Sequence, residues 1–184
     1  MVRIDRVTTR GGDGGETSLG DGSRLPKDAP RVEAIGAVDE ANAAIGLLRL
    51  HTAEQPEDAL LARVQNDLFD LGADLCVPGE GGARLRLGED KIAQIEADIA
   101  LINKTLPPLF SFVLPGGLPA SAQAHLARTI SRRAERRVVT VARAETINPN
   151  IVLYLNRLSD LLFVLGRKLN DNAAQDVLWV PGGR

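Results

Sequence analysis

The sequence predicts an all-α protein, a bundle of five helices, on three observations. Five stretches carry apolar residues at steps of three and four, alternating strand patterns are almost absent, and β-branched residues are scattered along helical faces instead of clustered. The first helix is predicted over about 31–50, with Val32, Ile35, Val38 and Ile45 inward. The second and third show the period best. Leu61, Val64, Leu68, Leu71 and Leu75 form one stripe, and Ile92, Ile95, Ile99, Ile102 and Leu106 form another. The fourth is predicted over about 119–145. The fifth puts Ile151, Leu155, Leu158, Leu162, Leu165 and Leu169 on one face, and its start is marked: Asn148 caps the first turn and Pro149 is tolerated inside it.

Composition agrees with a single domain over 1–184, divided into a glycine-rich segment at 1–30, the bundle at 31–173 and a tail at 174–184. Of the 184 residues, 44% are hydrophobic and 25% charged, which supplies a sizeable core and excludes most disordered and fibrous classes. The longest apolar stretch, around Leu161 to Leu165, falls far short of the roughly 20 residues of a membrane span. Residues 1–12 mix Arg3, Asp5, Arg6 and Arg10 with short apolar residues and lack the apolar middle of a secretory signal, so a cytoplasmic location is expected. Cys76 is the only cysteine; it excludes an internal disulfide and, between Leu75 and Val77, reads as a small buried hydrophobe. Lys and Arg total 22 against 24 acids, a net charge of −2, so no general attraction to nucleic acid or acidic membranes is expected and any anion site must be local. The two histidines, His51 and His125, stand outside the spacing of bundle metal sites and read as surface or capping residues; no protein metal site is predicted.

Three connections, at 9–30, 78–88 and 107–117, are richer in Gly and Pro than helix hairpins need. The first begins Thr9-Arg10-Gly11-Gly12-Asp13-Gly14-Gly15-Glu16-Thr17-Ser18. Backbone amides of such a loop can wrap a phosphate, and a flexible arm has the same composition. It is not a P-loop, because none of the four lysines follows a glycine. The middle connection, with Gly79, Gly81 and Gly82, reads as a mobile surface link. The third holds Phe110 and Phe112, and loop aromatics either anchor a loop in the core or line a pocket for a large flat ligand.

On the fourth helix Arg128, Arg132 and Arg136 stack at steps of four, with Arg133 and Arg137 beside them around Glu135. A row of planar guanidinium forks suits a polyphosphate or a charged subunit interface; the plainer alternative is a solvated face. Asn156, Arg157 and Asp160 interrupt the apolar run of the fifth helix, which fits either a nucleoside contact or a buried tie between helices. Asp39 and Glu40 can answer the arginine row across a helix or a subunit interface, and spacing alone does not choose.

Taken together, Thr9-Arg10-Gly11-Gly12-Asp13-Gly14-Gly15-Glu16-Thr17, Ser111-Phe112-Val113-Leu114-Pro115-Gly116-Gly117, Arg132-Arg133-Ala134-Glu135-Arg136-Arg137 and Tyr154-Leu155-Asn156-Arg157-Leu158-Ser159-Asp160 resemble, in order and spacing, the PduO-type ATP:cob(I)alamin adenosyltransferases over nearly the whole chain. The resemblance implies a ferritin-like five-helix bundle that assembles as a homotrimer, with ATP at subunit interfaces and the corrinoid nearby. It implies transfer of the 5′-deoxyadenosyl group of ATP to cob(I)alamin with triphosphate leaving and Mg²⁺ on the phosphates. A reductase and an adenosylcobalamin-dependent acceptor enzyme are further implied partners. By motif matching, Thr9, Arg10, Gly11, Gly12, Thr17, Ser18 and Lys27 hold ATP, and Arg132, Arg133, Ala134, Glu135, Arg136 and Asn156 complete the site. Arg10 stands where the family usually has lysine. Phe112 matches the corrinoid-facing aromatic, and Asp39 with Arg128 resembles the family's interface ion pair.

Two rival readings use the same residues. In one the arginine helix is a non-catalytic module binding RNA or an acidic protein; the near-neutral charge, scarce aromatics and separate glycine loop count against it. In the other ATP donates a phosphoryl group, which predicts ADP as product.

Overall fold

A computed structural model describes residue 5, residues 8–79 and residues 84–183. Gly81 and Gly82 of the middle connection lie outside the described residues. The five predicted helices are present as α1 (Pro30–Arg49), α2 (Glu57–Leu75), α3 (Glu89–Asn103), α4 (Pro119–Ala142) and α5 (Pro149–Lys168). The first connection also holds a small antiparallel hairpin, β1 (Glu16–Ser18) and β2 (Arg24–Pro26), pairing Thr17 with Leu25. Its turn is built by Asp21, whose carboxylate accepts from the Ser23 N–H at 2.9 Å and hydroxyl at 2.6 Å, and by Gly22, with φ of 88°.

The helices lie in the order α2, α1, α4, α5, α3. Side chains tie α3 back to α2: Lys91 donates to Asp67 at 2.7 Å and Arg63 pairs with Asp98. Both predicted leucine-rich stripes, on α2 and α5, are buried throughout. On α1 the inward face differs from the predicted one. Val32 and Ile35 are only half-buried, and Ala34, Ala41 and Ala44 join Val38, Ile45 and Leu48 inside. The facing helix α4 likewise buries Ala124, Ala127 and Ala134, so small residues on both sides permit the two axes a close approach. On α3 only Ile95 is fully buried, because the helix lies at the rim of the bundle.

A buried arginine sets the register of α1 against α4. Arg31 donates to Glu145 at 2.6 Å and to the Leu75 carbonyl at 2.6 Å. The pairs Glu33 with Arg137 and Glu40 with Arg133 continue the same antiparallel alignment. At the start of α5 Asn148 caps as expected, accepting from the Asn150 N–H at 3.1 Å, and its amide also donates to the buried Asp74 carboxylate at 2.8 Å. Two expectations need correction. Cys76 is half-buried, and His125 is a core residue, 1% exposed, because its helix face turns toward α5 where Gly166 leaves room for the ring. Among the described residues no helix is long and apolar enough to cross a membrane.

Candidate active site

The glycine-rich segment is a structured loop. Thr9 and Arg10 are exposed, Arg10 with φ of 59°, a left-handed conformation that a non-glycine residue adopts at some cost. Lys27 follows β2; its N–H donates to the Gly15 carbonyl at 2.8 Å and its ammonium lies over Gly12, where an added Cβ would stand 3.0 Å from Nζ. Glycine at position 12 therefore lets a cation sit directly on the loop backbone. Arg24, absent from the predicted site, braces the loop: it donates to the Gly11 carbonyl at 2.9 Å, to Glu16 at 3.2 Å and to Ser18 at 3.3 Å. Thr17 is half-buried and Ser18 exposed on β1. Gly20 donates to the Cys76 carbonyl at 2.8 Å, which docks the hairpin on the C-terminal end of α2.

The arginine row lies half-way along α4. Arg133 pairs with Glu40, and Arg136 donates to the Arg132 carbonyl at 3.0 Å. Arg132 is exposed, and no acid among the described residues pairs with it. Arg128, one turn earlier, is half-buried with its Nε unpartnered; desolvation and then the charge of Arg132 lower its pKa. The row is thus a concentration of positive charge that the chain answers in part, at Arg133 with Glu40 and Arg137 with Glu33, while no acid among the described residues pairs with Arg128, Arg132 or Arg136. Ala134, expected at the nucleotide, lies wholly in the core, so its side chain packs and offers no contact to a ligand. Glu135 accepts from the Asn156 amide at 3.1 Å, and the Asn156 carbonyl accepts from Arg157 at 2.8 Å. That tie fixes the orientation of Asn156 on α5 beside the row.

Phe112 is 76% exposed at the mouth of a cleft of about 590 Å³ that it lines with Leu109, Phe110, Val113, Arg128 and Phe163. The loop aromatics therefore do not anchor in the core. The C-terminal tail docks here: the Trp179 N–H donates to the Phe112 carbonyl at 2.8 Å, and the two rings lie 5.9 Å apart.

Within one chain these parts stay separate. The loop sits at the N-terminal end of α1; the row runs from Arg137, level with Glu33 in the first turn of α1, to Arg133, level with Glu40 about ten residues or roughly 15 Å along the bundle, and beyond it to Arg128. Asp39 and Arg128 also stay apart. Asp39 lines a groove of about 370 Å³ between α1 and α2 with Ile35, Gly36 and the exposed Phe69, whereas Arg128 lines the Phe112 cleft.

A sequence model for cobalamin adenosyltransferase matches residues 7–169. The chain belongs to the cobalamin adenosyltransferase family. It is 49% identical to a cobalamin adenosyltransferase of Cupriavidus metallidurans over 180 residues, covering 96% of this chain and 95% of the relative. It is 47% identical to a corrinoid adenosyltransferase of Mycobacterium tuberculosis, covering 99% of this chain and 96% of that one. In fold it is similar to a variant PduO-type ATP:corrinoid adenosyltransferase from Lactobacillus reuteri, solved in complex with cobalamin and ATP, with a TM-score of 0.87 and 33% identity over 95% of this chain and 99% of that chain.

This adenosyltransferase carries polar ties that sequence reasoning missed. Asp67 accepts from Tyr154 at 3.0 Å and from Lys91 at 2.7 Å, joining α2, α3 and α5; burial is the main reason the Tyr154 hydroxyl is held far above its usual pKa. The hairpin was not predicted; the signal that could have shown it is Asp21-Gly22, a turn pair between Thr17-Ser18 and Arg24-Leu25. Nothing in the linear sequence pairs Asp67 with Tyr154 or Arg31 with Glu145.

Proposed function

We propose that this corrinoid adenosyltransferase binds ATP between copies of the chain in a homotrimer and moves its 5′-deoxyadenosyl group to cob(I)alamin, releasing triphosphate. The electron pair of the reduced cobalt in the corrinoid substrate forms the Co–C bond at the 5′ carbon, and the electrons of the broken C–O bond leave with the triphosphate. No side chain is required as nucleophile, so the protein's contribution is alignment, charge stabilisation and exclusion of water.

One observation carries this reading: a row of arginines in which two exposed members one turn apart, Arg132 and Arg136, have no acid among the described residues to answer them. Like charges one helical turn apart repel unless an anion joins them, and the leaving triphosphate is such an anion. The loop supplies the remaining grip through Thr9, Arg10, the Gly11 and Gly12 amides, Thr17, Ser18 and Lys27. In this reading the loop of one copy meets the row of another across a subunit contact. Pairing of Asp39 with Arg128 across that contact accounts for their placement on different faces of the chain. Asn156, oriented by Glu135, holds the nucleoside.

Among the described residues no group of three or more His, Cys, Asp or Glu is placed to cage a metal. Mg²⁺ needs no such cage, since on a triphosphate it would be held chiefly by phosphate oxygens and water with one or two carboxylates. When bound, it would supply further neutralisation of the phosphate charge. Phe112 at the cleft mouth would face the corrinoid, and an apolar ring there would displace the lower axial ligand and keep water off the cobalt, easing reduction of cobalt(II). A cytoplasmic location belongs to the same reading. Anaerobic incubation with ATP and cob(I)alamin tests it: the corrinoid spectrum should become that of adenosylcobalamin as triphosphate appears in equal amount, and ADP as product would contradict it.

A further inference from the structure

Beneath the Phe112 loop lies a buried polar cluster that neither the nucleotide nor the transfer step employs. Arg167, in the last turn of α5, donates through Nε to Asp176 at 2.8 Å and through a terminal amine to the Pro107 carbonyl at 3.0 Å. Both members of the ion pair are 5% exposed. Asn170, fully buried, accepts from the Leu118 N–H at 2.8 Å, while its amide donates to Asp176 at 3.2 Å and to the Gly116 carbonyl at 3.4 Å. The start of the loop, its end and the start of the tail therefore converge on three side chains.

The surrounding backbone is shaped to this cluster. Asp171, Asn172 and Ala173 have φ of 55°, 50° and 74°, three successive non-glycine residues in the left-handed region, a turn that persists only where its surroundings hold it. Gly117, with φ of 88°, lies so close to Asn170 that an added Cβ would stand 2.2 Å from its carbonyl oxygen. Beyond Asp176 the tail runs antiparallel to the loop, joined to it by one isolated β-bridge between Val113 and Leu178. Leu114 N–H donates to the Val177 carbonyl at 2.7 Å, Trp179 N–H to the Phe112 carbonyl at 2.8 Å, and the Ser111 hydroxyl to the Trp179 carbonyl at 2.8 Å.

Phe112, at 76% exposure, has little else to hold it. A buried ion pair contributes little net stability against the desolvation of its charges, but its geometry is tightly defined. We propose that Asp176, clamped by Arg167 and Asn170, is a positioning residue for the corrinoid step: it anchors the tail segment that fixes Phe112, making the tail a brace for the loop that lines the corrinoid cleft. The inference rests on the reading of that cleft as the corrinoid site.

The test uses the full chain with ATP and cob(II)alamin, reading the fraction of cobalt(II) that loses its axial ligand by electron paramagnetic resonance and the KM values in the coupled reaction. Asp176→Asn keeps the side chain's shape and removes its charge; a chain ending at Asp176 keeps the clamp and removes the tail segment; Phe112→Ala sets the scale. Both tail variants should lower the four-coordinate fraction and raise the KM for corrinoid about tenfold, with the KM for ATP unchanged. If both keep the wild-type spectrum and corrinoid KM while Phe112→Ala loses them, the clamp is overturned and the cleft reading stands. If Phe112→Ala changes nothing either, both are overturned. An equal rise in both KM values would also overturn the proposal, as a general structural defect. Should Asp176→Asn fail to fold, Asp176→Glu, which keeps the charge and shifts the carboxylate by one methylene, takes its place by the same criteria.

Discussion

Arg132 and His125 lie two turns apart on α4 and show what sequence does and does not reveal about a single side chain. The arginine's proposed role rests on chemistry legible in the chain: five arginines near one another, without a lysine among them, suit paired hydrogen bonds to phosphate oxygens. Arg132→Ala should leave the fold intact and lower kcat by on the order of a hundredfold through lost charge stabilisation, as measured by steady-state kinetics on folded protein. His125 was misread because nothing in its spacing shows that Gly166 opposes it. Its ring stands edge-on to Phe163 at 6.2 Å with neither nitrogen bonded to another described group. Desolvation first, and then the charge of Arg128 on its own helix, lower its pKa below the ordinary 6.5, while Asp176, held by Arg167, acts weakly the other way. The unfolded chain therefore binds this proton more readily than the folded one, and the folded state loses stability as pH falls below about 6.5. Thermal unfolding from pH 7.5 to 5.5 should show that loss, and His125→Gln should flatten it; identical slopes in the two proteins would refute the assignment.

At the scale of elements, helices with a continuous leucine stripe were readable because every third or fourth position is large and apolar. The α2 and α5 stripes are buried as expected. The inward face of α1 was less legible, since alanine carries little hydrophobic signal yet allows the close approach of α4. Loops were legible as to where they lie, and only partly as to what they do. The two arms of the site, the glycine loop and the Phe112 loop, were visible as Gly/Pro concentrations, but the cluster of Arg167, Asn170 and Asp176 joins residues up to sixty-odd positions from the loop they hold. Gly117 shows how closely that cluster is fitted. Gly117→Ala imposes both an unfavourable φ and a clash with Asn170, and should cost about 2–3 kcal/mol in denaturant unfolding. A loss within a few tenths of a kcal/mol would mean that loop and tail yield freely.

For the whole molecule, the parts of the proposed site stand apart within one chain. The loop lies at one end of α1, the arginine row runs along α4 from Arg137, level with Glu33, past Glu40 to Arg128, and Asp39 and Arg128 line different clefts. No sequence pattern could have shown this separation, because it depends on the antiparallel register that buried Arg31 imposes. A site assembled between copies resolves it, and mixing of subunits tests that claim directly. Lys27→Ala carries an impaired loop and an intact row; Arg132→Ala carries the converse. Each alone should be nearly inactive. Refolded together in equal amounts, random assembly should pair an intact loop with an intact row at about one site in four, restoring about a quarter of wild-type turnover. Activity that stays at the level of the separate variants would mean that loop and row serve the same copy, and would contradict a shared site.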